Sequence, residues 1–154
     1  MAAGAFTFPQ LTKLNFFNAT NLLNGTSTNF RIALVSSAWT PAPSTNEVWA
    51  DVSANEIANG NGYTTGGGTL TGVALTQSAG TVKFTSSAFV WTASGGSIPA
   101  WRYGVVYYSG TLNSKVNPLV GYFLGDSTPA DVPATTSGNT LTITPNASGI
   151  LSAT

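Results

Sequence analysis

Two side-chain types are missing from this 154-residue chain, and one class is scarce. There is no cysteine, which excludes a disulfide framework and any thiolate metal site. There is no histidine, which removes the commonest general base, the commonest metal ligand and the usual switch near neutral pH. Charged residues make up 6% of the chain, against roughly 25% in an ordinary soluble domain. Five bases (Lys13, Arg31, Lys83, Arg102, Lys115) balance five acids (Glu47, Asp51, Glu56, Asp126, Asp131), all scattered singly. No basic cluster exists to neutralise several phosphates, so neither nucleic acid nor an anionic membrane is an expected partner. No apolar run approaches the roughly 20 residues of a membrane span, and the first ten residues lack the basic start of a signal peptide.

Threonine, serine, asparagine and glycine stand where charge would be. Hydrophobic residues reach 42% and aromatics 11%, too many for a disordered chain. The expected surface is a neutral one of hydroxyls and amides, which repels its own kind weakly and favours association. Soluble sheet proteins guard their edges with charge, lysine above all, and this chain has little to guard with.

Residues 1–9 read as an extended N-terminal arm. Phe6 and Phe8 precede Pro9, and either a contact with a neighbouring subunit or a frayed end fits them. From Gln10 to Asn24, Leu11, Leu14, Phe17 or Phe16, Leu22 and Leu23 follow a helical stripe, stopped by Asn24-Gly25. Everything later reads as strands. FRIALVS (30–36) alternates, with Phe30, Ile32 and Leu34 on one face. The connection that follows carries Pro41 and Pro43, with Trp39 and Trp49 placed to lie flat on the domain. ANEIA (54–58) reads as a short strand. TLTGVALTQ (69–77) and TVKFTS (81–86) read as a hairpin, and AFVWT (88–92) as the next strand. AWRYGVVYYSG (100–110) has large side chains on both faces, Trp101, Tyr103, Val105 and Tyr107 on one of them, which predicts a central position. PLVGYFLG (118–125), TLTITP (140–145) and GILSAT (149–154) complete the set. The expected fold is mainly β: residues 10–154 as a single-domain antiparallel β-sandwich or flattened barrel with one short N-terminal helix.

The stretch NGNGYTTGGGTL (59–70) has the glycine density of a phosphate loop but not its chemistry. No lysine follows the last glycine, a strand rather than a helix comes next, and the spacing misses G-x-G-x-x-G. The structural reading is a turn in which glycine permits positive φ and close backbone approach, anchored by the buried ring of Tyr63. Serine and threonine have no histidine to activate them, and Ser114-Lys115, adjacent in a loop-like stretch, makes a poor dyad. Glu47, Asp51 and Glu56, or Asp126 and Asp131, are the carboxylates from which a glycosidase pair would have to be drawn; they also lack the dense ligand pattern of a calcium loop. The aromatics either stack on sugars or pack the core, and alternating strand positions favour the core. No catalytic, cofactor-binding or metal-binding residue is expected, and no enzyme activity.

The order of short motifs carries a resemblance. LLNGT (22–26) is followed by FRIALVSSAWTP (30–41), NEVWADVSANEI (46–57), GYTTGGGTLTG (62–72), a V-x-F strand (82–84) with VW (90–91), RYGVVYY (102–108), PLVGYFLG (118–125) and TLTITPNASGIL (140–151). Over roughly residues 10 to 151 the chain resembles small structural proteins of tailed-bacteriophage virions, described as capsid decoration (cement), head-fibre or tail structural proteins. The resemblance implies assembly on a particle and brings no catalytic residues. It does not fix the part of the particle; the leading reading is a capsid cement protein, made in the bacterial host cytoplasm, that sits on the outside of the major capsid protein shell as a homotrimer. The alternative is a tail or fibre component with loop aromatics on a host surface glycan. A cell-wall hydrolase is a third reading, set back by the missing histidine and sparse acids.

Overall fold

A computed structural model describes residues 6–7, 9, 29–78, 81–128 and 130–153 of the chain. Its strands are β1 (Phe30–Val35), β2 (Gly68–Thr69), β3 (Ala74–Ser78), β4 (Thr81–Thr85), β5 (Phe89–Thr92), β6 (Tyr103–Tyr108), β7 (Thr111–Leu112), β8 (Lys115–Val116), β9 (Leu119–Leu124), β10 (Thr140–Ile143) and β11 (Leu151–Ala153). Four form a sheet in the order β2-β1-β6-β9; three more form β11-β4-β3; β10 pairs with β5 and β7 with β8. All pairings between these strands are antiparallel. The result is a mainly β, sandwich-like stack, and the sheets do not close into a barrel.

The four-stranded sheet is apolar on both faces because its strands are. In β1, Phe30, Ile32 and Leu34 enter one core, where Phe84 of β4, Trp91 of β5 and Leu141 of β10 meet them from the opposing strands. Ala33 and Val35 point the other way, into a second core with Val105 and Tyr107 of β6. That second core is roofed not by a sheet but by the connection after β1. Its Trp49 stacks on Tyr107, ring centroids 4.8 Å apart and planes 8° from parallel. Its Trp39 stands edge-on to Tyr103 and Tyr122 at 5.1 and 5.2 Å. Both tryptophans therefore lie on the domain as their sequence context predicts, and β6 is central as its two bulky faces require.

Glycine sets the thickness of the sandwich on the first face. A Cβ on Gly104 of β6 would overlap the ring of Phe123, its cross-strand partner on β9. A Cβ on Gly121 would overlap Phe6. Aromatic rings replace the missing side chains, and Phe6 and Phe123 lie 6.5 Å apart. A bulge between Val106 and Tyr107 leaves Val120 of β9 without a partner in the ladder, and Val120 is fully buried.

Four sequence expectations change. ANEIA is not a strand: Ser53–Asn55 is a 3-10 turn following another at Trp49–Asp51, and Glu56 alone bridges Val35. Asp51 starts this turn pair by accepting from the Glu47 and Val48 N–H groups, at 2.8 and 3.0 Å. TLTGVALTQ is two strands, not one. Gly72, at φ +59°, turns the chain between β2, which pairs with β1, and β3, which pairs with β4. Trp101 leaves the face of Tyr103 and Val105 and joins the first core, because the strand begins only at Tyr103 and Trp101 bridges Val132 instead. The stretch containing Ser114-Lys115 is a hairpin, β7–β8, whose two-residue turn holds Asn113 and Ser114 at φ +48° and +61°. The helical stripe of residues 10–24 lies outside the described residues.

Candidate functional site

The glycine-rich segment wraps the edge of β1 and reaches both of its faces. On the side of the first core, Tyr63 is 2% exposed and its ring lies 5.6 Å from that of Trp91. Its hydroxyl accepts from the Leu34 N–H at 2.9 Å and donates to Glu56 Oε1 at 2.7 Å. The same carboxylate oxygen accepts from the Gly66 N–H at 2.6 Å. On the other side, the Gly66 carbonyl accepts from Arg31 Nε at 2.9 Å and from the Tyr107 hydroxyl at 2.7 Å. Arg31 Nη2 donates to the Gly67 carbonyl at 2.7 Å.

Close approach explains why glycine stands here. Gly67 is at φ +68°, and a Cβ on it would overlap the Ile32 carbonyl oxygen. A Cβ on Gly68 would overlap the tip of the Phe89 ring. The segment thus touches β1 with one glycine and β5 with the next. It also spends its own polar groups on the protein: Gly66 offers neither its N–H nor its carbonyl lone pairs to a ligand. The electrostatics agree. Burial pushes the Tyr63 phenol far above its ordinary value, opposed by the Leu34 N–H and reinforced by Glu56. Burial also raises Tyr107, against the pull of Arg31. Both hydroxyls stay protonated donors throughout the physiological range.

The five carboxylates are dispersed and engaged. Glu47 pairs with Lys115 at 2.8 Å, and Asp131 with Arg102 at 2.8 Å and with the Ser37 hydroxyl at 3.2 Å. Asp51 and Glu56 hold backbone N–H groups as above. Asp126 accepts from the Thr128 N–H and hydroxyl, at 2.9 and 2.8 Å, which draws its carboxyl below the usual range. Among the described residues no group of three potential ligands gathers to hold a metal ion. A shallow cleft of about 400 Å³ opens beside the Glu47–Lys115 pair, between the turn at Trp49–Asp51 and the β7–β8 hairpin. Trp49 lines it with its ring already stacked on Tyr107.

Of the two arm residues singled out in the sequence, Phe6 packs within its own chain, against Phe123 and over Gly121. Thr7 next to it exchanges two backbone hydrogen bonds with Tyr122, at 2.6 and 3.1 Å, and so extends the sheet past β9. Phe8 lies outside the described residues. In the sequence, Glu56 figures only among the carboxylates for a glycosidase pair and Arg31 only among the scattered bases; their hydrogen bonds to the glycine segment reveal their role. Comparisons with protein-family models, with curated proteins and with solved structures find no match to this chain.

Proposed function

We propose that this chain is a structural component of a tailed-bacteriophage virion, in the leading form a capsid cement protein bound as a homotrimer to the outside of the major capsid protein shell. The carrying observation is the distribution of charge over the fold. The strands β2, β3, β4, β5, β10 and β11 contain one charged residue between them, Lys83. On β5–β10, Val90, Thr92, Thr140 and Thr142 are exposed on the outer face. Such a surface gains by excluding water from methyl groups and by pairing hydroxyls and backbone, not by ion pairing. Many weak contacts repeated over symmetric copies then resist outward pressure on a shell.

This reading makes a direct prediction about salt. Interactions between exposed charges fade beyond a Debye length of about 3 Å in 1 M salt, whereas apolar contacts do not weaken. Washing particles in molar sodium chloride is therefore expected to leave the protein bound, as followed by gel densitometry of pelleted particles. Quantitative release at moderate salt refutes the mechanism. The same gels separate head from tail: copies in proportion to the major capsid protein mean cement, and copies in proportion to tail proteins mean a tail or fibre component.

A further inference from the structure

The longest strand whose outer edge makes no backbone pairing among the described residues is β3, Ala74–Ser78. The strand itself carries none of the usual sequence guards. There is no proline, glycine or charge in ALTQS, and its register with β4 runs unbroken from Ala74↔Thr85 to Ser78↔Thr81. Leu75 lies opposite Phe84, which is fully buried, so Leu75 faces the first core; yet it is 43% exposed, and no described strand pairs beyond it. Among the described residues, the sheet ends at β3 with part of its core face uncovered.

We propose that β3 pairs antiparallel with β3 of a second copy about a twofold axis centred on Thr76. This deepens the assembly reading above and rests on it. In that register Thr76 faces its own counterpart, and Leu75 lies opposite Gln77 of the other copy. The two Leu75 side chains become diagonal neighbours on the core side, within reach of each other, and cover the exposed part of one another. The edge is self-complementary because it is neutral. The one charge on the described strands of this sheet is Lys83, opposite Thr76 on β4. In the joined sheet the two Lys83 residues stand three strand spacings apart, about 14 Å, beyond the ~8 Å screening length of physiological salt. Their repulsion is therefore too weak to forbid the contact. A twofold contact cannot close a ring of three, so this one joins neighbouring oligomers and ties separate rings into a net.

The absence of cysteine makes the test clean. Thr76→Cys and, as a control on the exposed β7–β8 hairpin, Thr111→Cys are treated with a short bis-maleimide at equal concentration, and covalent dimers are followed on denaturing gels. Thr76→Cys is expected to cross-link at least about tenfold faster, because pairing raises the local concentration of one thiol at the other. Adding Leu75→Lys, at a half-exposed site that spares the fold as checked by thermal unfolding, is expected to bring the rate down to the control. Equal rates for the two single-cysteine variants overturn the proposal, as does a rate that Leu75→Lys leaves unchanged. On particles, cross-linking of Thr76→Cys to a different protein overturns it too. Particles that bind the Thr76→Cys protein without cross-linking it sink the edge contact and leave the assembly reading standing.

Discussion

At the scale of single residues, glycines with the same backbone preference have different jobs, and the difference is measurable. Gly67 and Gly95 both have positive φ, +68° and +77°. A Cβ on Gly67 would overlap the Ile32 carbonyl, whereas Gly95 has open space around it. Gly95→Ala should cost about 1 kcal/mol, the left-handed strain alone; Gly67→Ala should cost at least ~3 kcal/mol, since β1 backbone must move. Denaturant unfolding of the two variants reads the gap directly. Tyr63 gives a second test, in pH. Its folded-state proton affinity is raised by burial, so the stability it contributes is complete below the unfolded phenol value of about 10 and is lost as pH rises above that. The loss should approach about 1.4 kcal/mol per pH unit. Tyr63→Phe should cost roughly 1.5–3 kcal/mol at neutral pH, because the Leu34 N–H and Glu56 lose their partner. Above pH 10 the difference between the two proteins should shrink, as measured by chemical denaturation along a pH series.

At the scale of elements, the strands were legible where periodicity and packing demanded the same thing. FRIALV and YGVVYY carry apolar residues on both faces, and both lie in the middle of a sheet with a core on each side. Legibility failed where a contact remote in sequence decides the local structure. Nothing within TLTGVALTQ says that its first residues belong to β1 and its last to β4; the break at Gly72 is set by the approach of Ser87, whose Oγ a Cβ would overlap. Glu56 looked like part of a strand because the carboxylate that fixes it there is satisfied by Tyr63 and Gly66, ten residues downstream at most. Of the candidate site, the structural role of the glycines and the burial of Tyr63 could be read directly. The clamp by Arg31 and Tyr107 could not, since it needs the register of three strands. The arm offers an element-level prediction. Phe6→Ala leaves Gly121 and Phe123 without their cover, and should lower stability by about 1–2 kcal/mol, detectable as a drop in thermal midpoint.

At the scale of the whole molecule, the balance of charge matters less than its placement. Among the described residues, eight of nine charged ones lie outside the six strands that hold only Lys83, and the ion pairs Arg102–Asp131 and Glu47–Lys115 sit near the surface, where each contributes little to stability. The fold is held instead by two apolar cores that share one sheet. The glycine segment, tied to β1 by Arg31, Tyr63 and Tyr107 and wedged under Phe89 of β5, fastens the facing layers along that border. A sandwich riveted along one margin does not breathe evenly. Deuterium should enter the amides of the edge strand β11 long before those of Ile32 to Leu34, so that the molecule peels like a book held at the spine.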